Sequence, residues 1–181
     1  MNSLALLAGV FLLGSTLAYG QPLAEPETTR AELINAQGEK IGSATLTQGT
    51  AGVNIAVQVS KLPPGPHGFH IHALGKCDTP GFTTAGDHFN PFKKAHGLHN
   101  PAGPHAGDLP NLVVGADGTA GMEVVAPQVS FKEVPESLFP PGETALIIHA
   151  NADDDRTDPD GKAGTRLACG IIPSHATRHR P

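Results

Sequence analysis

Val53-Asn54-Ile55-Ala56-Val57-Gln58-Val59-Ser60 alternates β-branched aliphatic residues with small or polar ones. Successive side chains of a strand point to opposite faces, so this period of two predicts a strand with Val53, Ile55, Val57 and Val59 buried and the others facing water. Neighbouring segments read in the same way. Residues 30–34 and 41–47 flank Asn35-Ala36-Gln37-Gly38 and predict a hairpin. Pro63-Pro64-Gly65-Pro66 forces a turn, and Phe69-His70-Ile71-His72 follows as a strand. Residues 111–114 and 119–125 flank Ala116-Asp117-Gly118, a hairpin signal with Asp-Gly at the turn. Residues 143–150 read as a buried strand, with Leu146 and Ile148 on one face and Ile147 and His149 on the other, and residues 166–172 as a last strand. Residues 129–139 fit neither period.

A chain of 181 residues with 22 Gly, 17 Pro and no Trp has room for one ordinary domain, made of short strands and many turns. About eight strands and two long loops, residues 75–110 and 151–164, predict an all-β fold: a Greek-key sandwich or flattened eight-stranded barrel with two functional loops. The formal net charge of −5 argues against a general nucleic-acid binder.

The ends are read separately. Residues 1–20 hold an apolar run from Leu4 to Leu17, broken by Gly9 and Gly14, with small residues at Ala18-Tyr19-Gly20, and are expected to be a signal peptide. The run is shorter than the roughly 20 residues a membrane span needs. It lacks the usual Lys or Arg ahead of it, so an uncleaved anchor is the competing reading. Residues 21–29 are expected to be a loose leader and residues 173–181 a flexible basic tail containing His175 and His179. After cleavage no stable membrane association is expected, and the destination is the periplasm or the exterior. The two cysteines, Cys77 and Cys169, suit a disulfide in such a compartment. It would close a loop of about 90 residues, worth roughly 4 to 5 kcal/mol in the chain-entropy account.

His70 and His72 share one face of their strand, about 6 to 7 Å apart, and can converge on one ion. The long loop adds His88, His96, His99, His105 and Asp108, and a later strand adds His149. Three imidazoles and a carboxylate, His88, His96, His105 and Asp108, form a closed set that favours zinc. His70, His72 and His149 offer an all-imidazole set on rigid strands, which suits copper. Zinc has no redox chemistry and copper does, so the pattern suggests a redox metal supported by a structural one. His67 is read as structural, and Asp154 and Asp155 as a solvated acidic turn.

Gly68-Phe69-His70-Ile71-His72, Gly86-Asp87-His88-Phe89-Asn90-Pro91, His105-Ala106-Gly107-Asp108-Leu109, Ile148-His149-Ala150 and Gly164-Thr165-Arg166-Leu167-Ala168-Cys169-Gly170 resemble the motifs of the copper/zinc superoxide dismutases, in the same order, over residues 30–172. The resemblance implies a superoxide dismutase, an antioxidant oxidoreductase whose substrate is a small anion. It implies copper on His70, His72, His88 and His149 and zinc on His88, His96, His105 and Asp108, with His88 as the shared, bridging ligand. By the same resemblance Asp153 bonds the free ring nitrogens of His70 and His96, Arg166 stands beside the copper channel, and Cys77 pairs with Cys169. His99 falls outside the matched ligands.

The loop between His149 and Arg166 is shorter than in the animal cytosolic enzymes and resembles the bacterial exported branch, as does the run Gly107-Asp108-Leu109-Pro110. The charged residues that guide substrate in the animal enzymes have no clear counterpart there, and Lys76, Lys93, Lys94 and Lys162 are the candidates. The oligomeric state is open, a dimer included. Competing readings are a non-catalytic copper-handling relative and a zinc-only structural module. The first would be favoured by loss of a copper ligand or of the arginine, and all of these are present.

Overall fold

The alternation along residues 53–59 is realised: Val53, Ile55, Val57 and Val59 are buried, and Asn54, Ala56 and Gln58 are exposed. The computed structural model describes residues 27–174, so the expected signal peptide, most of the leader and residues 175–181 lie outside the described residues. Eight strands form one antiparallel sheet: β1 (Thr28–Asn35), β2 (Lys40–Gly49), β3 (Gly52–Val59), β4 (Gly65–His72), β5 (Asp108–Val114), β6 (Ala120–Ala126), β7 (Thr144–His149) and β8 (Arg166–Ile172). Their order is β5-β4-β7-β8-β1-β2-β3-β6, with β5 and β6 meeting across the seam, so the sheet curls into a nearly closed Greek-key barrel.

The two halves of the barrel differ in how they are covered. β3 alternates buried and exposed residues, and β6 half-buried and exposed ones, because their outer face meets water. β7 is buried at all six positions, and β4 at its last six. Phe69, Ile71, Leu146 and Ile148 point into the barrel core with Leu33, Leu46 and Ile55. On the opposite face Ala145 and Ile147 pack with Phe82, Ala85 and Cys169 in a second, smaller apolar cluster. That cluster lies under the long loop after β4, which carries one short 3-10 turn at Thr83–Ala85. Cys77 and Cys169 form a disulfide with Cα atoms 5.6 Å apart, fastening this loop to β8.

Some boundaries differ from the sequence reading. β1 begins at Thr28, inside the stretch read as leader. At the other end Thr29 Oγ1 donates to the Pro173 carbonyl at 2.7 Å and the Ser174 amide donates to Glu143 Oε1 at 2.7 Å, so the first two residues of the expected tail are tied down. β5 starts at Asp108 rather than Asn111, because Asp108 and Leu109 pair with His70 and Phe69. Pro110 is accommodated at the bulge between His67 and Phe69, where its missing N–H is not needed.

The turn at residues 115–119 closes as expected, with the Gly115 amide donating to the Thr119 carbonyl at 2.8 Å. It is not a hairpin, however: β5 pairs with β4, and β6 with β3 over seven residue pairs. Asp-Gly fixes a chain reversal, but each flanking strand finds its ladder elsewhere.

Leu146 is fully buried at the centre of the barrel. Leu146→Ala should lower the unfolding free energy of the metal-free protein by about 2 to 5 kcal/mol in a denaturant titration. A loss under about 1 kcal/mol would mean that the barrel is packed differently.

Candidate metal centre

The register of β4 decides what meets on the outside of the barrel. His70 pairs with Ile147 of β7 and Asp108 of β5, and His72 pairs with Ala145. Residues directly opposite each other in an antiparallel ladder share a face. The two imidazoles and the Asp108 carboxylate therefore stand on the outer surface, opposite Phe69 and Ile71. Where β5 ends, residues 87–89 take its place beside β4: the Phe89 amide donates to the Ile71 carbonyl at 2.8 Å, and the Ala73 amide to the Asp87 carbonyl at 2.9 Å. This brings His88 opposite His72. A shift of register between β7 and β8 at Ile148/His149 accompanies the arrival of His149 on the same patch.

Two sets of donors result. One atom from each of His70, His72, His88 and His149 lies within 4.8 Å of the others, and the same holds for His88, His96, His105 and Asp108. Ring centroids are 4.1 Å apart for His70 and His88, 4.9 Å for His72 and His88, 5.1 Å for His88 and His96 and 5.4 Å for His88 and His105. All seven residues are buried.

The second nitrogen of most rings is already committed, and this fixes which atom faces inward. His72 Nδ1 donates to the Gly86 carbonyl at 2.8 Å and His149 Nδ1 to the Gly164 carbonyl at 3.1 Å. Their Nε2 atoms, left as lone pairs, face each other at 3.4 Å. His70 donates its Nε2 proton to Asp153 Oδ2 at 2.7 Å, which leaves Nδ1 buried without a partner among the described residues; His88 Nε2 is likewise unpartnered among them. On the other side Asp108 Oδ1 is 3.0 Å from His88 Nδ1, 3.1 Å from His96 Nδ1 and 3.3 Å from His105 Nδ1. Converging lone pairs of this kind repel one another unless a cation stands between them, and orphaned buried nitrogens are costly. Both sets fit a metal ion, four nitrogens in one and three nitrogens with an oxygen in the other, with His88 turned so that one nitrogen faces each.

The local electrostatics agree. Burial pushes His70 down to about 3 and His149 to about 4, and holds His72 well below its usual range, so all three are neutral at pH 7, the form that binds metals. Burial also disfavours charge on His96, but hydrogen bonds to Asp108 and Asp153 outweigh it and raise that ring to about 10. Burial raises Asp108 too, yet hydrogen bonds from His105, His88 and His96 hold it far below the usual carboxylate range. This pocket favours positive charge.

Asp153 links the sets, with Oδ2 on His70 and Oδ1 at 3.0 Å from His96 Nε2. Two of its supports were not visible in the sequence. Asn111 of β5 holds the Asp153 backbone like a strand partner, accepting from its amide at 2.8 Å and donating to its carbonyl at 2.9 Å. Gly161, at φ +63°, leaves the space the carboxylate fills: a Cβ there would sit 1.7 Å from Asp153 Oδ1 and 2.7 Å from His96 Nε2. The available signal was only a glycine in a polar loop.

Arg166, half-buried, donates from Nη1 to the Phe82 carbonyl and from Nη2 to the Gly86 carbonyl, each at 2.7 Å. The Gly86 oxygen also receives His72, so the guanidinium is registered against the four-imidazole set through one shared acceptor.

The remaining candidates fall outside both sets. His67 has its two ring nitrogens 2.8 Å from the Pro63 and His149 carbonyls, leaving none for an ion. The His99 side chain is 66% exposed and lies 3.7 Å from Asp155. Asp154 caps its own turn, as a solvated acidic residue does. Asp155 departs from that reading: it is half-buried, with an unpartnered Oδ1 and its protonation favoured by burial and by Asp153.

Residues 40–172 match the family model of copper/zinc superoxide dismutases. A Cu-Zn superoxide dismutase from Aquifex aeolicus (strain VF5) is 50% identical over 152 residues, 83% of this chain and 90% of the relative. Among solved structures, a SOD-like protein from Bacillus subtilis superposes with a TM-score of 0.78 at 40% identity, covering 80% of this chain and 98% of that one. The Cu/Zn superoxide dismutase from Brucella abortus superposes with a TM-score of 0.68 at 31% identity, covering 81% and 100%. With its eight-stranded barrel and paired donor sets, the chain belongs to the copper/zinc superoxide dismutase family.

Proposed function

We propose that the protein dismutates superoxide to dioxygen and hydrogen peroxide, with copper held by His70, His72, His88 and His149 and zinc by His88, His96, His105 and Asp108. The observation that carries this reading is His88 itself, buried between the two sets with Nδ1 3.0 Å from Asp108 Oδ1 and Nε2 without a hydrogen-bond partner among the described residues. A zinc-only module needs no such shared ring and no second, all-imidazole set. Bound copper supplies the one-electron couple through which one superoxide leaves as dioxygen and a second, with two protons, leaves as hydrogen peroxide.

The residues divide the rest of the work. His88 Nε2 is the atom positioned to take up and release a proton at the reacting centre. Arg166, held by two carbonyls, presents a permanent positive charge to a small anion and orients it. Asp153 fixes the tautomers of His70 and His96 and so aims one ligand of each set. The Cys77–Cys169 disulfide anchors the loop that supplies the Phe82 and Gly86 carbonyls, and therefore steadies Arg166.

We further propose an exported protein, periplasmic or extracellular, with a signal peptide at residues 1–20, a dismutase domain over residues 30–172 and a tail beyond it. The disulfide suits an oxidising compartment and supports this reading. Mass spectrometry of the exported protein should find Gln21 at its amino terminus.

Protein loaded with both metals should contain about one copper and one zinc per chain and remove superoxide in a dismutase assay; absence of copper binding or of activity would refute the proposal. His149→Ala should abolish dismutation and copper binding while zinc stays bound, as read by elemental analysis, because His149 contributes to one set only. Gly161→Ala, by displacing the Asp153 carboxylate, should weaken metal affinity by about 10- to 100-fold in chelator competition. Unchanged affinity would show that the carboxylate is not needed to aim the ligands.

A further inference from the structure

Six of the seven donors take their position from the sheet. His70 and His72 stand on β4, His149 on β7 and Asp108 at the start of β5. His88 is bridged to His72, and the His105 amide donates to Asp108 Oδ2 at 2.9 Å. His96 belongs to no strand or bridge, yet it is fully buried. Its backbone is held from both ends. The His96 amide donates to Asp158 Oδ1, a carboxylate of the loop over residues 151–164, and the His96 carbonyl accepts from Asn100 Nδ2 at 2.9 Å. The same Asn100 Nδ2 donates to the Arg156 carbonyl at 3.3 Å, and Asn100 Oδ1 accepts from the Ala102 amide at 3.0 Å. Turned over, that side-chain amide would set its oxygen against two carbonyls and its donors against an N–H, so one orientation is fixed. Asn100 thus clasps the two long loops together at the ligand.

The backbones close the same seam. The His99 amide donates to the Asp155 carbonyl at 3.1 Å, and the Gly97 amide to Asp108 Oδ2 at 2.9 Å. Gly97, at φ +110°, has no room for a side chain: a Cβ there would lie 2.1 Å from the Asp155 carbonyl oxygen.

We propose that Asp158 and Asn100 are positioning residues for His96, so that the second loop sets the affinity of the three-nitrogen, one-oxygen set through the backbone of a ligand as well as through its ring. This inference rests on the reading of that set as a zinc site. A ring can be aimed only as well as the backbone that carries it is held, and His96 has no ladder to hold it. Loss of either contact frees one end of the His96 backbone and costs an interaction of the size that shifts metal affinity about 10-fold. The four-imidazole set stands on β4, β7 and the His88 bridge, so its affinity is independent of both side chains.

The test measures zinc affinity of the copper-loaded mature protein, and copper affinity at saturating zinc, by chelator competition. Asp158→Ala and Asn100→Ala should each weaken zinc about 10-fold and leave copper within about two-fold. Asp158→Asn keeps an oxygen for the His96 amide and removes the charge, so it should restore zinc affinity to within about three-fold of the unaltered protein, the range expected for one exposed charge. Asp154→Asn alters a carboxylate of the same loop that caps its own turn, and should leave both affinities unchanged.

Unchanged zinc affinity in both alanine variants would overturn the inference. Equal losses of zinc and copper would overturn it too, because they would show a general loosening of the loops and not the aiming of one ligand. So would an Asp158→Asn variant as weak as Asp158→Ala. A protein that binds both metals but leaves superoxide untouched would refute the dismutase reading alone, since the zinc series still decides what the clasp does; one that takes up no zinc would overturn the inference with the site it rests on.

Discussion

The carboxylate of Asp153 is the contact on which the arrangement turns. Its two oxygens take the Nε2 protons of His70 and His96, so a single side chain sets which nitrogen each ring turns inward, one ring in each set. Without it either ring could present the wrong tautomer, and a donor set with one nitrogen protonated no longer converges on a cation. The carboxylate depends in turn on things unrelated to metal chemistry: Asn111 clamping the loop backbone to β5, and Gly161 leaving room. The strands supply the precision and the loop supplies the acid.

That division explains why half of the barrel is buried on both faces. A strand with water on its outer side needs polar residues there, as Asn54 and Gln58 provide on β3. On β4 and β7 the outer positions are His70, His72, Ala145, Ile147 and His149, which water would neither organise nor leave dry. The loop carrying Phe82 and Ala85 covers the apolar part, and its continuation through Gly107 covers the imidazoles. The closeness is real: a Cβ at Gly107 would lie 2.3 Å from the Ile71 carbonyl. Desolvation keeps the strand histidines neutral and makes an unfilled donor set costly, so the cover that builds the site also gives it its affinity.

Most of the barrel was legible because its information is local. Period two along residues 53–59 fixed the buried face of β3, and the same parity put His70 with His72 and His149 with Ile147. The ligands inside the long loop, His96, His105 and Asp108, had no period to declare them, and separating them from His99 required the motif resemblance. Nothing local could reveal Asn111 or Gly161, since each matters through a contact with a residue about 40 or 8 positions away. The turn at Asp117-Gly118 shows the complementary error: turn chemistry is local, but strand pairing is decided by the whole barrel. Asp155 was misjudged for a related reason, since an acidic run carries no sign of which member folds inward.

A site built outside the barrel rather than within it couples metal binding to the loops and leaves the core nearly independent. Ions held in the two sets would join β4 and β7 to the loop residues His88, His96 and His105, and through Asp153 to the second loop, so each ion would cross-link segments far apart in sequence. The disulfide does the same at the opposite edge of the first loop. The barrel keeps its own ladders and its apolar core of Leu33, Leu46, Ile55 and Leu146 whether or not those cross-links exist. Loss of metal should therefore release the two loops before it releases the strands, a local opening well below the global unfolding free energy. Arg166, proposed to orient substrate, and the Gly86 carbonyl that holds it lie at the junction of those two regimes: one stands on a strand and the other on a loop.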